Sequence, residues 1–271
     1  MRKTCLLIAV SAATCLAGIF LGSIPARAAA IECTLLIDQA SGKTLLRDGE
    51  CDRRVTPMST FKVPLALMGF DSGILKGTHA PLWNYRKEFD APKRARKAVD
   101  PTIWETESIL WYSQELTRKL GMPAFRKYVT AFDYGNADLS GHAGGDPLTQ
   151  SWLGSSLVIS PDEQAAFIGR MLAGEVPVSD EARKMALRVI PAYASGDWKV
   201  YGKTGSGWIR GKNGRFDRTR PVGWFVGWAE KEGRRVVFAR LLVDDKPSDA
   251  ALGLKLRNAF LEKLPAPMGK R

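Results

Sequence analysis

The chain has 271 residues, 45% of them hydrophobic, with 40 Lys and Arg against 28 Asp and Glu and a formal charge of +12. That balance argues against a disordered polypeptide and allows one sizeable core. With only two histidines, His79 and His142, neither a Ser-His-Asp hydrolase nor a histidine-rich zinc centre is the expected chemistry, and no metal is called for.

The basic excess suits an anionic small molecule or an anionic cell envelope as well as nucleic acid. Lys93-Arg94-Ala95-Arg96-Lys97 is the densest basic run. It lacks interleaved aromatics and reads as a solvated loop, so nucleic acid is not an expected partner.

Residues 1–28 read as a secretory signal: Arg2 and Lys3 open it, Leu6 to Leu21 is apolar, and Ala26-Arg27-Ala28 supplies the small-x-small cleavage pattern. Residues 29–271 are expected to form a single catalytic domain, released into the periplasm without stable membrane insertion and with no obligate protein partner evident. Cys5 and Cys15 leave with the signal, and Cys33 and Cys51 remain as an even pair in an exported protein. A disulfide between them is expected.

In chain order, residues 32–48 alternate and turn at Ser41-Gly42-Lys43, a predicted hairpin. A helical pattern follows Ser59 to Phe70 and stops by Gly73. Further helices are predicted at 106–119, ended by Gly121, and at 123–132, opened by Pro123. Ser160-Pro161-Asp162-Glu163 is a capping box with proline at the first helical position, which predicts a helix through Leu172; another starts near Ser179. Strands are predicted over 198–205, 223–228 and 236–242, and a last helix over 249–264. Strands at both ends with helices between them imply an α+β fold: an antiparallel sheet made by both chain ends, flanked by helices, with a helical subdomain and the cleft where the two meet.

Ser59-Thr60-Phe61-Lys62 places a hydroxyl and an amine three residues apart on one helical face, a nucleophile beside a base. Lysine serves as a base only when it is uncharged or chemically converted, so the site must be desolvated. Alone, S-x-x-K is weak, and Ser59 could be an ordinary helix N-terminal residue. Three later features add context: Ser108-Ile109-Leu110, Tyr134-Gly135-Asn136 and Lys203-Thr204-Gly205. Gly202-Lys203-Thr204 does not suit a phosphate loop, because Gly205 and Gly207 break any following helix.

This set resembles the penicillin-recognising serine enzymes, and within them the class D β-lactamases, the oxacillinases, over nearly all of residues 29–271. Trp152-Leu153 with Ser156 to Ser160, and Gly223-Trp224-Phe225-Val226-Gly227-Trp228, also resemble segments of that family. The resemblance implies hydrolysis of β-lactams through a Ser59 acyl-enzyme, and hence β-lactam resistance. It implies no cofactor other than carbon dioxide or bicarbonate, which converts Lys62 to N6-carboxylysine, the base for both halves of the reaction. Phe61, Leu110, Trp152 and Leu153 are expected to desolvate Lys62, with the Trp152 indole donating to the carbamate. Ser108 is expected to relay a proton to the leaving nitrogen from a position opening a helix. Backbone N–H groups of Ser59 and Ser206, just past Gly205, would form the oxyanion hole. Lys203 and Thr204 would hold the substrate carboxylate, joined by Lys255 or Arg257. Asn136 is expected to shape the cleft. Ser108-Ile109-Leu110 departs from the family's usual S-x-V, which puts an extra methylene at Leu110 near the deacylating water. A penicillin-binding peptidase and a β-lactam sensor share these motifs and are the rival readings.

Overall fold

The computed structural model describes residues 29–211, 213–248 and 251–264, and the expected signal segment lies outside them. The described residues form six strands and seven helices, an α+β fold as expected. Strands β1 (Ile31–Asp38) and β2 (Thr44–Gly49) make the predicted hairpin. The Asp38 carboxylate accepts the Ser41 N–H and hydroxyl, and Gly42 takes φ 67° to reverse the chain. A disulfide joins Cys33 to Cys51, 18 residues apart. In the chain-entropy account a loop of that size contributes ~3 kcal/mol.

A 3₁₀ turn over Met58–Phe61 leads into α1 (Lys62–Asp71). The helical middle of the chain follows: α2 (Pro101–Glu107), α3 (Leu110–Ala131), α4 (Pro147–Gln150), α5 (Pro161–Ala173) and α6 (Asp180–Val189). Ser160 and Glu163 cap α5 reciprocally, and Ser179 caps α6, as their sequences predict. The chain then returns through β3 (Ala192–Ser195), β4 (Trp198–Arg210), β5 (Phe216–Lys231), β6 (Arg234–Val243) and α7 (Leu252–Lys263).

The sheet order is β2-β1-β6-β5-β4-β3, antiparallel throughout, so the first and last strands in sequence, β1 and β6, pair side by side inside the sheet. Strand alternation divides β5 between two cores. Val222, Trp224, Val226 and Trp228 face the main core, whereas Phe225 and Ala229 join Phe238 and Phe260 beneath α7. Burial on both faces is why β5 reads as a continuous apolar run.

Three expectations need correction. Residues 106–119 do not form one helix. Asp100 caps the N-terminus of α2 by accepting the Ile103 N–H, with Pro101 at the first helical position. The helix ends at Glu107, and α3 begins only at Leu110; its kink at Gly121 (φ 75°, ψ 155°) matches the predicted break. The segment 206–221, left between the predicted strands 198–205 and 223–228, is itself largely paired: β4 and β5 stay together out to Arg210 opposite Phe216, a ribbon running past the end of β6. The short β3 and α4 carry too few residues to show a period, and the sequence pattern missed both.

Candidate active site

The chain tightens between Ser59 and Lys62. In a 3₁₀ turn, side chains three apart eclipse, and the Lys62 N–H closes that turn on the Ser59 carbonyl. Thr60 holds the turn shut: its hydroxyl donates to the Pro57 carbonyl at 2.7 Å and accepts from Gln164 Nε2 at 2.8 Å. Met58, directly before Ser59, adopts φ 52°, an uncommon conformation for a non-glycine residue. Its N–H donates to the Trp152 carbonyl at 3.1 Å, which also accepts the Thr56 hydroxyl at 2.8 Å. Trp152 is thus tied by backbone to the Ser59 turn, while its ring stacks on Phe61 at 5.1 Å. Asn136 bonds Ser156 and Val158 on both edges of its amide and so fixes the segment after Trp152.

Lys62 is 1% exposed, and its Nζ has no hydrogen-bond partner among the described residues. Burial, and then the charge of Lys203, push its pKa down to about 7. The amine is therefore desolvated. Leu110, expected among its apolar walls, is 40% exposed and, with Ser108, Arg94 and Gln114, lines a cavity of about 440 Å³. The fully buried neighbour is Ile109. The physical reason lies at Ser108. It closes α2 rather than opening a helix, in the left-handed conformation (φ 56°, ψ 46°), and that reversal sends successive side chains to different sides.

From β4, Lys203 arrives 2% exposed, donating to the Ser108 hydroxyl at 3.0 Å and the Thr204 carbonyl at 3.2 Å. Close approach of β4 to the nucleophile turn demands Gly205, where a Cβ would lie 2.9 Å from the Pro57 carbonyl oxygen. Ser206 accepts the Gly253 N–H at 2.9 Å and anchors α7 to the strand. Of the two cations left open by the sequence, Lys255 bonds Ser248 at 3.3 Å. Arg257 stacks over Tyr193 at 4.9 Å, and its charge bears on Lys203.

One residue escaped the sequence reading. Glu105 is 0% exposed, and among the described residues both its oxygens lack a hydrogen-bond partner. Burial raises its pKa, opposed by Lys203 and Lys62. The spacing Pro101, Trp104, Glu105, Ser108 was the available signal, since those positions share one helical face. Arg94 likewise belongs to the cleft rather than only to a solvated loop, for it lines the same cavity as Ser108.

Against this geometry, residues 32–266 match the family model described as "Penicillin binding protein transpeptidase domain". The chain is 49% identical over 245 residues to "Beta-lactamase OXA-9" of Klebsiella pneumoniae, covering 89% of each. The chain belongs to the class D β-lactamases. It is also 31% identical to "Beta-lactamase OXA-1" of Escherichia coli, over 83% of this chain and 80% of that one. Among solved structures, that of "OXA-427 class D BETA-LACTAMASE" superposes with a TM-score of 0.80 at 39% identity, covering 88% of this chain and 98% of the other. As a class D β-lactamase the chain is a hydrolase.

Ser108 provides a direct test of how backbone and hydroxyl divide their work in this class D enzyme. Glycine and alanine both remove the hydroxyl that Lys203 bonds, but only glycine is at ease in the left-handed region. Ser108→Gly is expected to be more stable than Ser108→Ala by about 1 kcal/mol. Both variants should lose turnover to a similar extent. Urea denaturation beside steady-state kinetics measures the two effects; equal stabilities would refute the backbone account.

Proposed function

We propose that this enzyme confers β-lactam resistance by opening the lactam amide through an acyl-enzyme on Ser59, with carboxylated Lys62 as base for both halves. The observation that carries this is the buried, unpartnered Lys62 amine one 3₁₀ turn after Ser59. An amine with a pKa near 7 is partly uncharged at neutral pH, and only the neutral form reacts with carbon dioxide. The carbamate would take the Ser59 proton as Oγ attacks the lactam carbonyl, then activate water against the ester. Trp152, tied to the Ser59 turn, supplies an indole N–H for the carbamate.

Backbone N–H groups of Ser59 and Ser206 would stabilise the oxyanion. The Lys203–Ser108 hydrogen bond provides a route for the proton to the leaving nitrogen. Lys203, Thr204 and Arg257 would receive the substrate carboxylate; Lys255, engaged with Ser248, is not assigned that role. Residues 1–28 would direct export to the periplasm, where the Cys33–Cys51 disulfide is stable. Among the described residues no helix is long and apolar enough to cross a membrane.

Mass spectrometry of the protein after brief exposure to benzylpenicillin, with product analysis alongside, tests the proposal. A transient adduct on Ser59 with steady accumulation of ring-opened product is the expected result. A persistent adduct without product would identify a sensor or peptidase instead.

The pH profile follows from Lys62. Its pKa in the fold lies below the free value of 10.5, at about 7. The neutral amine therefore prevails above that pH and is lost as pH falls through it. We expect kcat/KM to decline below about pH 7, approaching tenfold per pH unit. Added bicarbonate should recover part of the loss; an acid limb indifferent to bicarbonate would count against carboxylation.

A further inference from the structure

Glu105 has no part in the mechanism above, yet it occupies the same buried space. Its helix α2 turns Pro101, Trp104 and Glu105 inward and delivers Ser108 at its end, where Lys203 bonds the hydroxyl. The carboxylate and the Lys62 amine are both fully enclosed, and neither has a hydrogen-bond partner among the described residues. A buried carboxylate left unpaired is costly when charged, so a fold that encloses one must use it or keep it neutral.

The charges that bear on Glu105 are Lys203 from β4 and Lys62 from α1. Arg94, from the turn before α2, bears on Lys62, and Arg257, from α7, bears on Lys203. Helices α3 and α6 also pack on α2. From α3, Ser113 accepts the Trp104 indole N–H at 2.8 Å. Glu115 of α3 pairs outward with Arg86, Arg118 and Lys119, and Asp180 of α6 pairs with Arg183.

On the reading that Lys62 is carboxylated, we infer that Glu105 accepts the proton released in that step and holds it while the carbamate stands. The neutral Nζ attacks the carbon of carbon dioxide, forming an N–C bond as one C–O π pair moves onto oxygen. The nitrogen then loses a proton to the Glu105 carboxylate. One carboxylate charge disappears and one carbamate charge appears, so the combined charge of these two groups stays at minus one, facing Lys203, and two anions never face each other. Because the groups are not hydrogen-bonded to one another, a water molecule serves as carrier. Decarboxylation runs the same path backwards.

The proton inventory distinguishes this from a structural role. With [13C]bicarbonate, the carbamate NMR signal gives the affinity for dissolved carbon dioxide at each pH, independently of turnover. Between about pH 7 and 8, where Lys203 keeps most of its charge, the wild type releases no proton on carboxylation, and its affinity should be nearly flat. In Glu105→Gln the proton must leave the protein, so affinity should rise about tenfold per pH unit. Parallel profiles would overturn the inference. Infrared difference spectra of the wild type on adding bicarbonate should gain a protonated-carboxyl band, and its absence would overturn the inference even were the glutamine variant unfolded. If the wild type gives no carbamate signal, it is the assignment of Lys62 that fails.

Discussion

Replacing Ser59 by alanine is expected to abolish the covalent adduct with benzylpenicillin and lower kcat/KM by about 10⁴-fold or more. Nothing else in the cleft substitutes for it. Thr60 is buried and spends its hydroxyl on the Pro57 carbonyl, and Ser108 is committed to Lys203. The turn itself should survive, because it is closed by Thr60, by the Lys62 N–H and by the Met58 link to Trp152. Intact-mass spectra and thermal melts check the two halves. Labelling retained at full rate would place the nucleophile elsewhere.

Loss of Lys62 should be comparably severe, for a reason that separates catalysis from stability. Lys62→Ala removes the base for both acylation and deacylation, so acylation itself should fall by about 10³-fold or more. A variant accumulating acyl-enzyme at the normal rate would show that Lys62 acts only in deacylation. Lys62→Met, which keeps the bulk but not the amine, should be equally inactive. In bicarbonate-free buffer it should melt no lower than the wild type. A buried amine without a partner costs free energy in either protonation state, and methionine relieves that cost without opening a cavity. A melting point well below that of the wild type would mean that the amine is compensated in solution, contrary to the partnerless Nζ.

What the sequence determined by itself were features written in local chemistry. The hairpin at Gly42, the reciprocal cap of Ser160 and Glu163, and the Ser59–Lys62 spacing each depend on residues within a few positions of one another. The Lys203-Thr204-Gly205 element was recognisable by its resemblance to a family motif, and the structure supplies the reason for its glycine, the close pass of the Pro57 carbonyl. Tertiary structure decided what depends on distant segments meeting. The left-handed turn at Ser108 broke the expected helix, exposed Leu110 and buried Ile109, though Ile109 and Leu110 are nearly equal in hydrophobicity. Arg257 and Lys255 differ by two positions, and only the packing of α7 on β4 and β5 sets which charge reaches Lys203. Glu105 carried no mark in the sequence that set it apart from other helix charges. Its burial beside two lysines follows from α1, α2 and β4 converging, and convergence of segments a hundred residues apart leaves no periodic mark along the chain.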